Sequence, residues 1–132
     1  MIYLLQRCLK QLKKLLKKVI NVREIYEPLY QTLNFVCPGQ VSYGTKENLE
    51  QSDTYIIYQE ISNRGTIYAD DKVKLRILTI QINLITKRKN LELEEKLEAS
   101  LYLAGYAFQM LTEYQNEDGS INRVYEIKME VI

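Results

Sequence analysis

The stretch Lys72–Thr86, KVKLRILTIQINLIT, decides the fold because its apolar residues recur at every second position. A period of two predicts a strand, since successive side chains point to opposite faces. The phase changes at Ile77–Leu78, which predicts either a β-bulge there or a strand whose two halves bury opposite faces. The second alternative suits a strand that leaves its own core and meets a neighbouring subunit. The apolar positions are Val73, Leu75 and Ile77 in the first phase and Leu78, Ile80, Ile82 and Leu84 in the second.

The residues before this strand predict further extended structure. Thr54–Ser62 is rich in Tyr and Ile, a composition that favours a strand. Gly65 predicts a turn, followed by a short segment at Thr66–Tyr68, and Asp70 and Asp71 follow in a turn between strands. Upstream, Gln40–Tyr43 is a short strand candidate, and the polar run Gly44–Asp53 predicts an exposed loop.

The residues after the long strand predict a helix and a β-hairpin. Asn90 is a suitable N-cap, and Gly105 is a suitable terminator for a helix between them. Residues 106–131 predict the hairpin, with its turn at Asn116–Gly119. The inward stripe of the helix is Leu93, Leu97, Leu101 and Ala104, and one face of the first hairpin strand is Tyr106, Phe108, Met110 and Tyr114.

The N-terminal segment is a distinct basic unit. Residues 1–20 carry six basic residues and no acidic one, whereas the rest of the chain has a net charge of −5. Its leucines recur at spacings of three and four, which predicts an amphipathic helix over residues 3–20. A kink or a break is expected between Asn21 and Pro28. The apolar stripe is Leu5, Leu9, Leu12, Leu16 and Val19, with Lys10, Lys13, Lys14, Lys17 and Lys18 among the basic residues.

The predicted fold class is α+β, with a single mainly antiparallel β-sheet packed on one face by helices and an extra N-terminal amphipathic helix. The predicted domains are a basic helical extension at 1–21 and an α+β domain at 22–132. The helix could lie on an anionic membrane, contact nucleic acid, or dock its leucines on the domain or on another subunit.

Composition argues against an enzyme. The chain of 132 residues contains no His, which excludes catalytic triads built on imidazole and the usual nitrogen ligand of zinc. Its two cysteines, Cys8 and Cys37, lack CxxC spacing and are expected to be reduced thiols in a soluble protein. No glycine-rich phosphate loop is present. We therefore predict no catalytic, cofactor-binding or metal-binding residue, although Asp70 and Asp71 leave a metal or partner contact open. The carboxylates Glu92, Glu94, Glu95 and Glu98 are expected to lie on a solvated helix face.

Four blocks from Val22 onward resemble the small tail-completion or tail-terminator proteins, also called head–tail joining proteins, of long-tailed bacteriophages and prophages. The most specific is YIIYQEISNRGTIYADDK at Tyr55–Lys72, where a Tyr-rich strand, a glycine turn and an Ala-Asp-Asp sequence precede the long strand. The others are VREIYEPLYQTL, LTIQINLITKRKNLELEEKLEASLYLAGY and NEDGSINRVYEIKMEV. The basic helix lies outside the resemblance.

The resemblance implies a structural subunit without a cofactor. Such subunits form a ring, usually a hexamer, at the head-proximal end of the tail tube, where the ring stops tube polymerisation and presents a surface to the head-completion or connector protein. The implied location is the virion tail, assembled in the cytoplasm of the host bacterium, without sequence-specific nucleic acid recognition or membrane binding. The predicted interface, with ring neighbours or with a partner such as the tube, is Arg64, Tyr68, Asp70, Asp71, Val73, Leu75 and Ile77. The alternative is a membrane-surface or partner-binding module that acts through the Leu/Lys helix.

Overall fold

The computed structural model describes residues 2–46, 53–69 and 72–131, and it has the predicted α+β fold. In the described residues, five strands form one sheet of order β1-β2-β3-β5-β4, in which only β1 is parallel to its neighbour. The elements are α1 (Ile2–Val36), β1 (Val41–Tyr43), β2 (Tyr55–Ala69), β3 (Lys72–Thr86), α2 (Leu91–Leu103), β4 (Phe108–Gln115) and β5 (Ile121–Val131).

The chain divides into two compact units, Met1–Gln31 and Thr32–Ile132. The first unit is helix α1 as far as Gln31, and the second contains the last turn of α1, the whole sheet and α2. The predicted division into residues 1–21 and 22–132 stays a prediction.

Helix α1 continues without a break through Asn21–Pro28, the segment in which we predicted a kink or a break. It runs from Ile2 to Val36 with Pro28 inside it. A proline inside a helix costs about 3 kcal/mol, because it removes one hydrogen bond and crowds the preceding turn. Beyond Pro28 the apolar stripe resumes at Leu29 and Leu33, which are both fully buried. Burying two leucines stabilises by a similar or larger amount, about 3–6 kcal/mol, so a break at Pro28 is not required.

Strand β2 is also longer than predicted. The turn expected at Gly65 is wrong, because β2 continues to Ala69 and pairs with β3 along its length. The pairing shifts at three places, between Glu60 and Ser62, between Gly65 and Ile67, and between Ile67 and Tyr68. These irregularities accommodate the residues that interrupt the period of two without ending the strand. Asp70 and Asp71, together with most of the predicted loop at 44–53, lie outside the described residues.

The pairing of β3 decides between the two predicted causes of its change of phase, a β-bulge or two halves that bury opposite faces. No irregularity occurs at Ile77–Leu78, because β3 pairs with β5 in unbroken register from Arg76 to Thr86. The predicted bulge is therefore wrong. Leu78, Ile80, Ile82 and Leu84 are buried on one face of the sheet, whereas Leu75 and Ile77 occupy the opposite face and are half-buried. The two halves of the strand thus turn their apolar residues in opposite directions.

The face that carries Ile80 and Ile82, which we call the closed face, holds the core. Tyr125 and Ile127 of β5 lie opposite these two isoleucines, and all four side chains are fully buried. Helix α2 covers this face with Leu97 and Leu101, which are also fully buried. The ring of Phe108 meets that of Tyr125 edge-on, with centroids 6.1 Å apart.

Both predicted boundaries of α2 are confirmed. The side-chain oxygen of Asn90 accepts a hydrogen bond from the backbone N–H of Leu93, at 3.1 Å. After Leu103 the chain turns through Gly105, whose φ of +88° is a conformation that favours glycine. Ala104 is exposed at the C-cap, so its predicted place in the inward stripe is wrong. The C-cap lies beyond the last turn that packs on the sheet.

The predicted hairpin is β4 and β5, joined by a turn in which the carboxylate of Asp118 accepts a hydrogen bond from the N–H of Ser120. The predicted face of β4 needs one correction. An irregularity at Leu111, between Met110 and Thr112, reverses the alternation. Tyr114 therefore lies opposite Asn122, on the other face from Phe108 and Met110, and its hydroxyl accepts a hydrogen bond from the Asn122 amide at 2.9 Å.

Candidate functional site

The side of the sheet opposite the closed face carries a shallow depression, which we call the open face. Its apolar lining residue is Ile77, which is half-buried and directly opposite Arg64 of β2. Thr79 lies opposite Ser62 on one side and Lys128 on the other. Directly opposed residues share a face, so the register itself brings these side chains together. The depression is lined by Ser62, Arg64, Ile77, Thr79, Glu126 and Lys128.

The open face continues toward the hairpin. A neighbouring depression shares Ile77 and Lys128 and extends to Tyr106 and Ala107, just before β4. Burial raises the pKa of the Tyr106 phenol. Glu126 and Glu130 place negative charges among the positive charges of Arg64 and Lys128. Charges of both signs surround an apolar residue here. Such a surface suits a protein partner better than it suits a partner of uniform charge.

Beyond the open face, β2 and β3 continue together as a two-stranded arm, formed by residues 65–69 and 72–75. Strand β5 pairs with β3 only from Arg76 onward, and β1 pairs with β2 only at Ile56–Tyr58. Among the described strands, the arm therefore pairs only with itself. An isolated two-stranded ribbon is at best marginally stable in water, so such an arm gains stability from a neighbour that covers it.

The structure brings part of the predicted interface together. Arg64 and Ile77 lie opposite each other, and Leu75 follows on the same side of β3 as Ile77. The backbones of Tyr68 and Val73 pair within the arm, whereas their side chains, like Asp70 and Asp71, lie outside the described part of the chain.

Sequence reasoning missed the contribution of β5 to the open face. Glu126, Lys128 and Glu130 alternate with apolar residues, which indicated an exposed side of the hairpin. The sequence does not contain the register that places Lys128 opposite Thr79, two residues from Ile77. That register depends on pairing between strands that are about 50 residues apart in the chain.

The N-terminal helix presents its predicted residues at the surface. Leu5, Leu9 and Leu12 have exposed fractions of 64%, 55% and 54%, and Lys10 and Lys13 are also exposed. The side chains of Lys14, Lys17 and Lys18 lie outside the described residues. Cys8 on the same helix is an exposed free thiol. The second free thiol, Cys37, is buried, and burial raises its pKa to about 11.

A charged cluster lies between α2 and the closed face, and we call it the Arg123 cluster. The Arg123 guanidinium lies 3.1 Å from Glu94, 3.3 Å from Glu98 and 3.2 Å from Glu113. Lys89 approaches Glu94 at 2.6 Å and Glu113 at 2.7 Å. The Tyr125 hydroxyl accepts a hydrogen bond from Nε of Arg123 and donates one to Glu98.

This cluster corrects the expected solvated helix face. Glu94 is buried and Glu98 is partly buried, and both are paired with Arg123, whereas Glu92 and Glu95 are exposed as expected. The hydrogen bond from Lys89 lowers the pKa of Glu113, and the bonds to Glu113 and Glu94 raise the pKa of Lys89. Burial raises the pKa of Tyr125 to about 12. All three carboxylates are bound by cations of the same chain, so the cluster holds α2 on the sheet.

Neither a protein-family model nor a curated protein matches this chain. Within residues 2–46, 53–69 and 72–131, no group of three or more Cys, Asp and Glu side chains is arranged to hold a metal ion. No helix in these ranges is both long and apolar enough to cross a membrane.

Proposed function

We propose that this protein is a structural virion subunit that caps the tail tube of a long-tailed phage or prophage as a ring. The ring would end tube polymerisation and provide the surface for head–tail joining. The observation that carries the proposal is the two-stranded arm, which extends past both β1 and β5. A subunit that works only by contact needs such a surface and no reacting groups.

The open face supports the same proposal from its side chains. Ile77 and Leu75 place apolar surface on the side of β3 that α2 does not cover. The surrounding Arg64, Glu126 and Lys128 provide the mixed polar rim that surrounds the apolar centre of many protein interfaces. The tail tube protein on one side and the head-completion protein on the other are the proposed partners, with copies of the same chain as ring neighbours.

The test is binding to tail tubes of the phage or prophage that carries the chain. Light scattering is measured across a concentration series, with and without tubes, and should show a species of the size of a ring. The resemblance to tail-terminator proteins implies that this ring is a hexamer. Electron microscopy should then show this species at one end of each tube. A protein that stays monomeric even with tubes present would contradict the proposal.

Point variants test whether the open face makes the proposed contact with the tube. Ile77→Glu and Arg64→Glu should each weaken tube capping about tenfold or more, because the first removes the apolar group of the proposed contact and the second reverses a charge in its rim. Ala99→Glu is the matched control, since Ala99 is exposed on α2, the helix that packs on the other face. Equal capping by all three variants would place the contact elsewhere.

A second candidate function follows from the exposed Leu5, Leu9 and Leu12 beside Lys10 and Lys13. A helix of this composition binds anionic lipid surfaces through apolar insertion and charge. Replacing the three leucines by Gln retains the charge and should abolish sedimentation with phosphatidylglycerol vesicles. Unchanged sedimentation, or none by the unmodified protein, would dispose of this candidate.

A further inference from the structure

We infer that the N-terminal part of α1 packs antiparallel on the outer face of α2 in a second copy of the chain. Each helix contributes one ridge of three residues that are four positions apart, and all six side chains are exposed. The basic ridge is Leu5, Leu9 and Lys13 of α1, and the acidic ridge is Glu95, Ala99 and Leu103 of α2. This inference goes beyond the ring proposal, because it uses neither the open face nor the arm.

Both ridges carry large apolar side chains at the surface. Leu103 is 82% exposed, and Leu5 and Leu9 are each more than half exposed. Residues four positions apart form a ridge on a helix, and the interdigitation of two such ridges is the commonest class of helix packing in globular proteins. Ala99 lies in the middle of the acidic ridge, and its small side chain lets a second helix approach closely.

The order of the residues along the two ridges favours the antiparallel arrangement. Lys13 follows Leu5 by eight residues, and Glu95 precedes Leu103 by eight residues. When Leu5 lies against Leu103, the middle residues of the two ridges meet, and Lys13 lies against Glu95. A parallel arrangement would instead place Lys13 against Leu103 and Leu5 against Glu95, so that each charge would meet a leucine.

The charges of the two helices are complementary. Residues 1–20 carry six basic residues and no acidic one, whereas α2 carries four Glu and one Lys. That lysine, Lys96, lies over the ring of Phe35, with its Nζ 4.8 Å from the ring centroid. Among the described residues, the ion pairs involve neither Lys13 nor Glu95. An ion pair between copies therefore does not compete with those that hold α2 on the sheet.

The length of α1 makes a second copy the occupant. The helix is continuous from Ile2 onward, and at 1.5 Å per residue Leu5 lies about 39 Å along the axis from Gln31, where the first compact unit ends. Helix α2 has 13 residues and is therefore only about 20 Å long. Because a continuous helix cannot fold back on itself, we assign the acidic ridge that Leu5 meets to another chain.

Carbodiimide cross-linking tests the contact in the unmodified protein, because the reagent joins a Lys amine and a Glu carboxylate that lie against each other. A mixture of ¹⁴N-labelled and ¹⁵N-labelled full-length protein is cross-linked, digested and analysed by mass spectrometry. We expect an amide between Lys13 and Glu95 in peptides that combine the two isotopes. Absence of this amide, or its presence only in peptides of one isotope, overturns the inference.

Charge reversal gives a second test. Lys13→Glu and Glu95→Lys should each raise the dissociation constant of self-association about tenfold by light scattering, because each places like charges together. An equimolar mixture of the two variants should restore the value of the unmodified protein, since each helix then meets an opposite charge on the other chain. A mixture that associates no better than either variant alone overturns the contact between copies.

Matched controls make the same changes of charge elsewhere. Arg7→Glu lies on the opposite side of α1 from Leu5 and Leu9, and Glu117→Lys lies in the hairpin turn, and both positions are exposed. Both controls should leave the dissociation constant unchanged, and an effect as large as that of Lys13→Glu would contradict the register. Sedimentation with vesicles in the absence of the Lys13–Glu95 amide would assign the helix to lipid instead. Tube capping by Lys13→Glu and Glu95→Lys is measured separately, so failure of this inference leaves the ring proposal standing, and the reverse holds.

Discussion

Nε of Arg123 lies 3.1 Å from the buried Glu94 carboxylate, an ion pair that joins β5 to α2 across the closed face. Only 18% of the arginine side chain and 7% of the glutamate side chain are exposed. A charge that is buried to this extent costs free energy unless an opposite charge pairs with it, and Arg123 and Glu94 provide that pairing for each other. Further pairs with Glu98 and Glu113 connect the hairpin, the helix and the end of the sheet.

Removing the arginine should therefore destabilise the fold strongly. Arg123→Leu leaves Glu94 buried with Lys89 as its remaining cation, and we expect a loss of about 3 kcal/mol in the free energy of unfolding, as is typical when one partner of a buried pair is removed. Urea denaturation followed by circular dichroism measures the change. Arg88→Leu, at an exposed position beside the cluster, should change stability by less than about 0.5 kcal/mol. Equal losses in the two variants would show that the pairs are not responsible.

Stability should also depend on pH through Glu113. Its pKa in the folded protein is below the ordinary value of 4.5, so the carboxylate stabilises the fold above that value. This contribution is lost as pH falls through the lowered pKa. Thermal unfolding across acidic pH should show a smaller decrease for Glu113→Gln than for the unmodified protein. Asp118 also has a lowered pKa and contributes equally to both proteins, so their difference reports Glu113 together with its pairs with Lys89 and Arg123. If the melting temperatures of the two proteins fall in parallel with decreasing pH, Glu113 does not have this role.

The N-terminus of α2 depends on the Asn90 side chain. Asn90→Ala removes the acceptor of the Leu93 N–H and should reduce the free energy of unfolding by about 1 kcal/mol. Asn90→Asp retains an acceptor and should remain within a few tenths of a kcal/mol of the parent. Chemical denaturation of the three proteins gives the comparison. A loss in Asn90→Asp as large as that in Asn90→Ala would rule out capping as the cause.

The C-terminus of α2 depends on the backbone of Gly105. Its φ is +88°, and a Cβ added there would meet no atom within 4 Å. The cost of Gly105→Ala is therefore one of conformation alone, about 1 kcal/mol or slightly more. Gly105→Asn should cost less, because Asn adopts positive φ more readily. Equal losses in the two variants would argue against backbone strain. Denaturant unfolding of the two variants tests the order.

Local patterns in the sequence predicted most elements correctly. The alternation in Lys72–Thr86, the cap at Asn90, the stop at Gly105 and the hairpin turn at Asn116–Gly119 each depend on residues close together in the chain. Local backbone preference and side-chain period are sufficient for such features. The errors occurred where a local signal was outweighed by long-range pairing, as at Gly65, which predicted a turn but lies within β2.

The sequence by itself determined an α+β chain without imidazole chemistry, a basic amphipathic helix and a long strand that turns apolar residues to both sides. Only the tertiary structure decided that Arg64 lies opposite Ile77, that Glu94 is buried against Arg123, and that the irregularity at Leu111 places Tyr114 beside Asn122. These relationships depend on strand register and on the packing of α2. Neither is encoded in the period of a single segment, because both arise from the simultaneous burial of several segments distant in sequence.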